Sequence, residues 1–175
     1  MTSSEYDLKP VDRLTTGAIG PPGKRVFYIQ ARKEDQLLTL IVEKQQVQLL
    51  AERLEKFLEE LDERYPDLPR AEASYQDQDM TLEEPIDPAF RVGLLGLGYD
   101  EATDLLVLVA REVEAEEDLL ETSSVARLWC TRTQLRRMCQ WGTEVANHGR
   151  PICGNCGQPK DPEGHFCPKS NGHKK

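Results

Sequence analysis

No apolar run in this chain reaches the roughly 18 residues that a membrane-crossing helix requires, and the N-terminal stretch has no apolar core of the secretory kind. Both absences point to a soluble chain. Cysteine is missing from the first 129 residues, and the five cysteines all fall from Cys130 onward. A disulfide framework spreads its cysteines through the fold, so this clustering predicts a reduced, cytoplasmic protein. The ready-made signatures of catalysis are missing too: there is no nucleophile elbow, no phosphate-binding loop ending in lysine and no HExxH helix. Positive charge is scarce in the larger part of the chain. Residues 1–125 carry 13 Lys+Arg against 28 Asp+Glu, net −15, whereas residues 126–175 carry 9 against 3, net +6. An acidic body of that size repels polyanions, and no basic-aromatic interleaving of the base-stacking kind is present. Nucleic acid is therefore not the expected partner.

What is present is concentrated at the C-terminal end. Cys153-Gly154-Asn155-Cys156-Gly157 is a tight knuckle that aims two thiolates at one centre, with backbone N–H groups free to donate to sulfur. A second knuckle is outlined by Phe166-Cys167-Pro168-Lys169-Ser170-Asn171-Gly172, with Ser170 where a fourth cysteine would stand. Serine is a poor zinc ligand, so a histidine must complete the set. The expected site is one structural zinc held by Cys153, Cys156, His165 and Cys167, with His173 as the alternative fourth ligand. A redox pair is the competing reading of CxxC, but such a pair starts a helix, and this one sits among Gly157, Pro159, Pro162 and Gly164.

Upstream, residues 1–12 read as a flexible lead and Arg13–Ile19 as a short strand closed by Gly20-Pro21-Pro22-Gly23. Arg25–Ala31 and Leu37–Val42 read as a β-hairpin. From Lys44 the period changes. Val47, Leu50, Leu54, Phe57, Leu58 and Leu61 recur at helical spacing until Tyr65-Pro66 ends the element. Residues 70–88 form a polar loop; Phe90–Tyr99 and Asp104–Glu112 follow as a second strand pair, and Glu114–Glu121 as an acidic loop. The glycines between Gly93 and Gly98 mark close packing or bulges rather than a nucleotide loop, because no helix follows. Val125–Cys130 is a further strand, and Thr131 caps a second helix with Leu135, Met138, Cys139, Val145 and Ala146 inward. Leu40–Val47 and Leu128–Leu135 share a strand running into a helix, with Lys/Arg and Gln at matched offsets. The expected fold class is α+β: an antiparallel sheet covered on one face by two helices, built from duplicated sheet-then-helix halves (25–62 and 90–147) in a domain spanning 13–148, followed by a zinc-ribbon-like tail, 149–175. Cys130 and Cys139 are expected core thiols.

On the second helix Arg132, Arg136 and Arg137 cluster on one side, with Arg127 and Arg150 flanking it. Guanidinium forks bind phosphates and carboxylates bidentately, so these five are the expected binding surface for an anionic or protein partner. The bland alternative is that they make salt bridges to the acidic half. The expectation is a non-catalytic zinc-binding adaptor with no catalytic residue; the alternative is a zinc-dependent or phosphate-processing enzyme using the same region.

Nearly the whole chain resembles an uncharacterised bacterial family of about this length. The resemblance rests on Gly17-Ala18-Ile19-Gly20-Pro21-Pro22-Gly23-Lys24-Arg25, on Phe27–Arg32, on Gly98-Tyr99-Asp100, and on Gly149-Arg150-Pro151 followed by the CxxCGxPxDPxGHxCP run from Cys153 to Pro168. It implies a domain of unknown function whose genes lie beside those for a lipid-kinase-like protein and a histidine-phosphatase-like phosphomutase. A kinase-like or histidine-phosphatase-like protein partner is the corresponding expectation. The resemblance also favours His165 over His173.

Overall fold

A computed structural model describes residues 4–21, 23–113 and 123–147. Period-two and period-3.6 patterning set the elements in chain order. Strands β1 (Glu5–Leu8), β2 (Arg13–Ile19), β3 (Val26–Lys33) and β4 (Gln36–Val42) lead into helix α1 (Lys44–Arg64). A loop containing a 3-10 turn, Asp77–Met80, then precedes β5 (Pro88–Asp100), β6 (Leu105–Glu112), β7 (Val125–Cys130) and helix α2 (Arg132–Asn147). The molecule is α+β, with one seven-stranded sheet and two helices among the described residues.

The strand order is β1-β7-β6-β5-β4-β3-β2, so the two edge strands are consecutive in sequence. The chain from Leu8 to Arg13 reaches at most about 18 Å, whereas seven flat strands would hold their edges about 29 Å apart. The sheet must therefore curl until its edges come within that reach. At the seam Val11 N–H donates to the Trp129 carbonyl of β7 at 2.8 Å, and Asp12 N–H donates to the Arg32 carbonyl of β3 at 2.7 Å.

Two expectations are corrected. The sheet is mixed rather than antiparallel, because β1 runs parallel to β7 and β4 parallel to β5. The reason is that the leading strand of each half is long and bent. In β5, Pro88–Arg91 pairs with β4, and after a bulge around Val92 the remainder turns to β6. β1 and β2 divide the same two tasks between them. The expected flexible lead contains β1, whose Leu8 is fully buried.

One core joins the curled sheet to both helices. Ile29, Leu40, Leu106 and Leu128 from the strands pack with Leu50, Leu54, Leu58, Leu135 and Met138 from the helices. Where α2 crosses α1 and β2, Gly142 permits the approach: a Cβ there would lie 2.8 Å from Val47 Cγ1 and 2.9 Å from Thr16 Cγ2. The loop before β5 is tied down by polar contacts. The Gln30 amide donates to the Glu83 carbonyl and accepts its N–H, each at 2.8 Å, imitating a strand neighbour. Arg13 and Arg32 both reach the Glu83 carboxylate.

Candidate functional site

The strand-to-helix junctions β4–α1 and β7–α2 are built alike. Glu43 N–H donates to Gln46 Oε1 at 2.7 Å, and Thr131 N–H donates to Gln134 Oε1 at 2.9 Å. These are N3 glutamines reaching back to the residue before the helix. Each glutamine then uses its Nε2 on the bend of a leading strand, Gln46 on the Val92 carbonyl and Gln134 on the Val11 carbonyl, both at 3.2 Å.

Strand registers repeat in step with the caps. Ala18 faces Phe27 and Phe27 faces Val42; correspondingly, Tyr99 faces Leu106 and Leu106 faces Cys130. Three pairs of positions are thereby equivalent: Ala18 with Tyr99, Arg25 with Asp104 (each directly preceding the middle strand), and Lys44 with Arg132 (each the first helical residue).

At the second junction these positions form a closed network. The Arg132 guanidinium is 7% exposed and lies 3.3 Å from Asp104 Oδ2 and 3.8 Å from Asp62 Oδ1. Tyr99 Oη donates to Asp104 Oδ1 at 2.7 Å, and its ring lies 5.5 Å from that of Tyr65. Burial first, and then the bond to ionised Asp104, pushes the Tyr99 hydroxyl up to about 12. The Tyr99 hydroxyl therefore stays protonated near neutrality.

The first junction is open. A cavity of about 490 Å³ lies over the start of α1, lined by Arg25, Lys44 and Arg91 as cations and by Glu43 as the single carboxylate among the described residues. Glu43 is engaged by Arg91 at 3.0 Å. Arg25 makes no ion pair among the described residues, and its Nε is shielded from solvent without a hydrogen-bond partner. The turn before it depends on Gly20, at φ +120°, where a Cβ would strike the Lys24 carbonyl at 2.8 Å. Buried Phe27 and Val42 supply an apolar wall.

Of the five arginines expected to form a binding surface, the four that are described each have a carboxylate of this chain. Arg127 lies 3.9 Å from Glu5, and Arg137 lies 2.9 Å from Glu72. Arg136 grips Glu55 with Nε and Nη2 at 3.0 and 2.9 Å and donates to the Ala71 carbonyl at 2.8 Å. Arg132 is inside the network above. Arg150 and the expected zinc ligands Cys153, Cys156, His165 and Cys167 lie outside the described residues, as does His173. Among the described residues no group of three or more His, Cys, Asp or Glu could hold a metal. Cys130 and Cys139 are buried free thiols; burial lifts Cys130 to about 12 and Cys139 further, which rules both out as nucleophiles at neutral pH.

Arg25, Lys44 and Arg91 escape a reading of the sequence by local patterns, since they lie far apart in the chain and only the fold brings them to one cavity. One signal could have found them. Aligning the halves through their glutamine caps sets Lys44 against Arg132, and the residue before each middle strand then shows a charge inversion, Arg25 against Asp104.

No curated protein and no solved structure matches this chain. A family model described as "Protein of unknown function (DUF3090)" matches residues 6–167, which takes in the curled sheet, both helices and the cysteines as far as Cys167. The chain belongs to the DUF3090 family.

Proposed function

We propose that this protein is a non-catalytic binding protein that takes an anionic group in the cavity over the start of α1. The observation that carries the reading is the gathering of Arg25, Lys44 and Arg91 around one carboxylate, in a chain whose other cation-rich helix is neutralised from within. Arg91 is paired with Glu43, while Arg25 and Lys44 make no ion pair among the described residues, and such unanswered cations attract an anion. The basic C-terminal segment, with one structural zinc on Cys153, Cys156, His165 and Cys167, belongs to the same reading as a second, metal-stapled unit that follows α2, whose last residues Ala146 and Asn147 line the cavity. A protein partner bearing the anion, such as a kinase-like or phosphatase-like protein, would meet both.

A thermal-shift series with simple anions at constant ionic strength tests this. Anions should stabilise the wild type and the double variant Arg136→Ala/Arg137→Ala alike, and should lose that effect on Arg25→Ala/Lys44→Ala. Equal stabilisation of the cavity variant and the wild type would remove the cavity from the account.

A further inference from the structure

We infer that the cavity is a site for a small phosphate monoester; this rests on the anion-binding reading above and narrows it to one chemical class. The argument comes from comparing the two halves of the fold.

At the second junction the first helical residue, Arg132, meets carboxylates from Asp104 and Asp62, and Tyr99 fills the space beside them. That junction carries its own anion. At the first junction two of the three equivalent positions differ in the direction that leaves the site open. Tyr99 is matched by Ala18, which removes a ring and a hydroxyl. Asp104 is matched by Arg25, which exchanges a carboxylate for a guanidinium. The first helical residue stays cationic as Lys44, and Arg91 of the bent strand adds a third positive charge. Where one half has a junction with one cation and two carboxylates, the other has a cavity with three cations and one carboxylate.

The charge count selects the ligand. The described lining holds a net charge of +2, so a monocarboxylate leaves half of it unanswered, while a phosphate monoester carries about −1.5 to −2 near neutrality. Its oxygens suit a guanidinium fork, an ammonium and the N–H groups of Lys44 and Gln45, which have no partner within α1. A volume of about 490 Å³ exceeds what a bare oxyanion fills and falls in the range of sites for small organic ligands. Phe27 and Val42 offer an apolar wall for the remainder of such a molecule. Arg25 also lines a neighbouring cavity of about 540 Å³ with Asp77, Glu84 and Glu144, yet none of these carboxylates comes within 4.0 Å of it.

Calorimetric titration of the full chain with inorganic phosphate, glycerol phosphate and acetate at fixed ionic strength tests the inference. Glycerol phosphate and phosphate should bind at least roughly tenfold more tightly than acetate, and glycerol phosphate more tightly than phosphate. Arg25→Asp restores the carboxylate found at the equivalent position; it should pair with Lys44, abolish phosphate binding and raise the melting temperature. Lys44→Ala, at an exposed position, should weaken phosphate binding about tenfold without unfolding the chain and serves if Arg25→Asp fails to fold. Arg137→Ala should bind as the wild type does. Acetate binding as tightly as phosphate would overturn the phosphate assignment and leave the anion reading standing. No binding of any of the three would overturn both, and phosphate binding unaffected by Lys44→Ala would overturn the site.

Discussion

The Glu83 carboxylate accepts from Arg32 Nε at 2.9 Å and lies 3.3 Å from Arg13 Nη1, while its backbone is paired with the Gln30 amide. The bond from Arg32 is the largest cause that holds its acid below the usual carboxylate range. A carboxyl whose folded pKa is depressed contributes stability above its unfolded value of about 4.3, and that contribution disappears as pH falls through the folded value. Glu83→Gln should therefore cost about 1 kcal/mol at pH 7, with a deficit that shrinks at pH 3. Urea midpoints at both pH values check this; an equal deficit at each would mean that the charge is not what holds the loop. Arg132 and Arg137 offer a second comparison of residues. Arg132→Met leaves Asp62 and Asp104, whose side chains are 24% and 40% exposed, without the buried guanidinium and should cost about 1–2 kcal/mol. Arg137→Ala breaks an exposed pair and should cost under about 0.5 kcal/mol. Similar costs in chemical denaturation would refute the distinction between a buried guanidinium and a surface bridge. From the sequence both residues read as cations on one helix face. Their difference depends on Asp104 and Asp62, which only the fold brings to Arg132.

Elements were legible where a residue's neighbours along the chain decide its environment. The helical spacing of Val47, Leu50, Leu54, Leu58 and Leu61 is the buried face of α1, and Thr131 caps α2 through its Oγ1, which accepts the Gln134 N–H at 3.0 Å. β1 carried no such signal, because four mostly polar residues with one buried leucine show no alternation. The parallel pairings were invisible for a different reason. They join strands of different halves, and no local pattern records which distant strand lies alongside. Gly142 is another such position, a glycine within a helical pattern whose reason lies in α1 and β2. Gly142→Ala gains helix propensity of roughly 1 kcal/mol, but the new Cβ would press on Val47 and Thr16, both almost fully buried. Thr16 cannot simply rotate away, since its Oγ1 donates to the Tyr28 carbonyl. Overpacking of this kind costs about 1–3 kcal/mol, so a net loss of about 1 kcal/mol is expected. A melting temperature equal to or above that of the wild type would show that the helices can separate to admit the methyl group.

At the scale of the whole molecule, the described residues of sheet and helices share one core. β1 seals against β7, and Val11 and Asp12 carry the seam to β3. The ligands expected for zinc, Cys153, Cys156, His165 and Cys167, fall within 15 residues of one another, so the metal should staple a local unit of its own. About one equivalent of zinc should accompany protein purified under reducing conditions, and a strong chelator should remove it. The chain's two tryptophans make the consequence measurable, because both belong to the folded body. Trp129 Nε1 donates to Asp7 at the β1–β7 edge, and Trp141 Nε1 donates to the Thr16 carbonyl where α2 meets β2. Their near-ultraviolet signals report on the two contacts that close the sheet and seat the helix. Stripping zinc should leave both signals in place and move the urea midpoint little, while removal of the metal raises the number of cysteines that react with a thiol reagent; Cys130 and Cys139 stay protected by burial. Joint loss of the tryptophan signals and the metal would mean that tail and body fold as one cooperative unit. Protein that carries no zinc even when purified without chelators would instead remove the metal from the account and leave the curled sheet and its cation-lined cavity as they are.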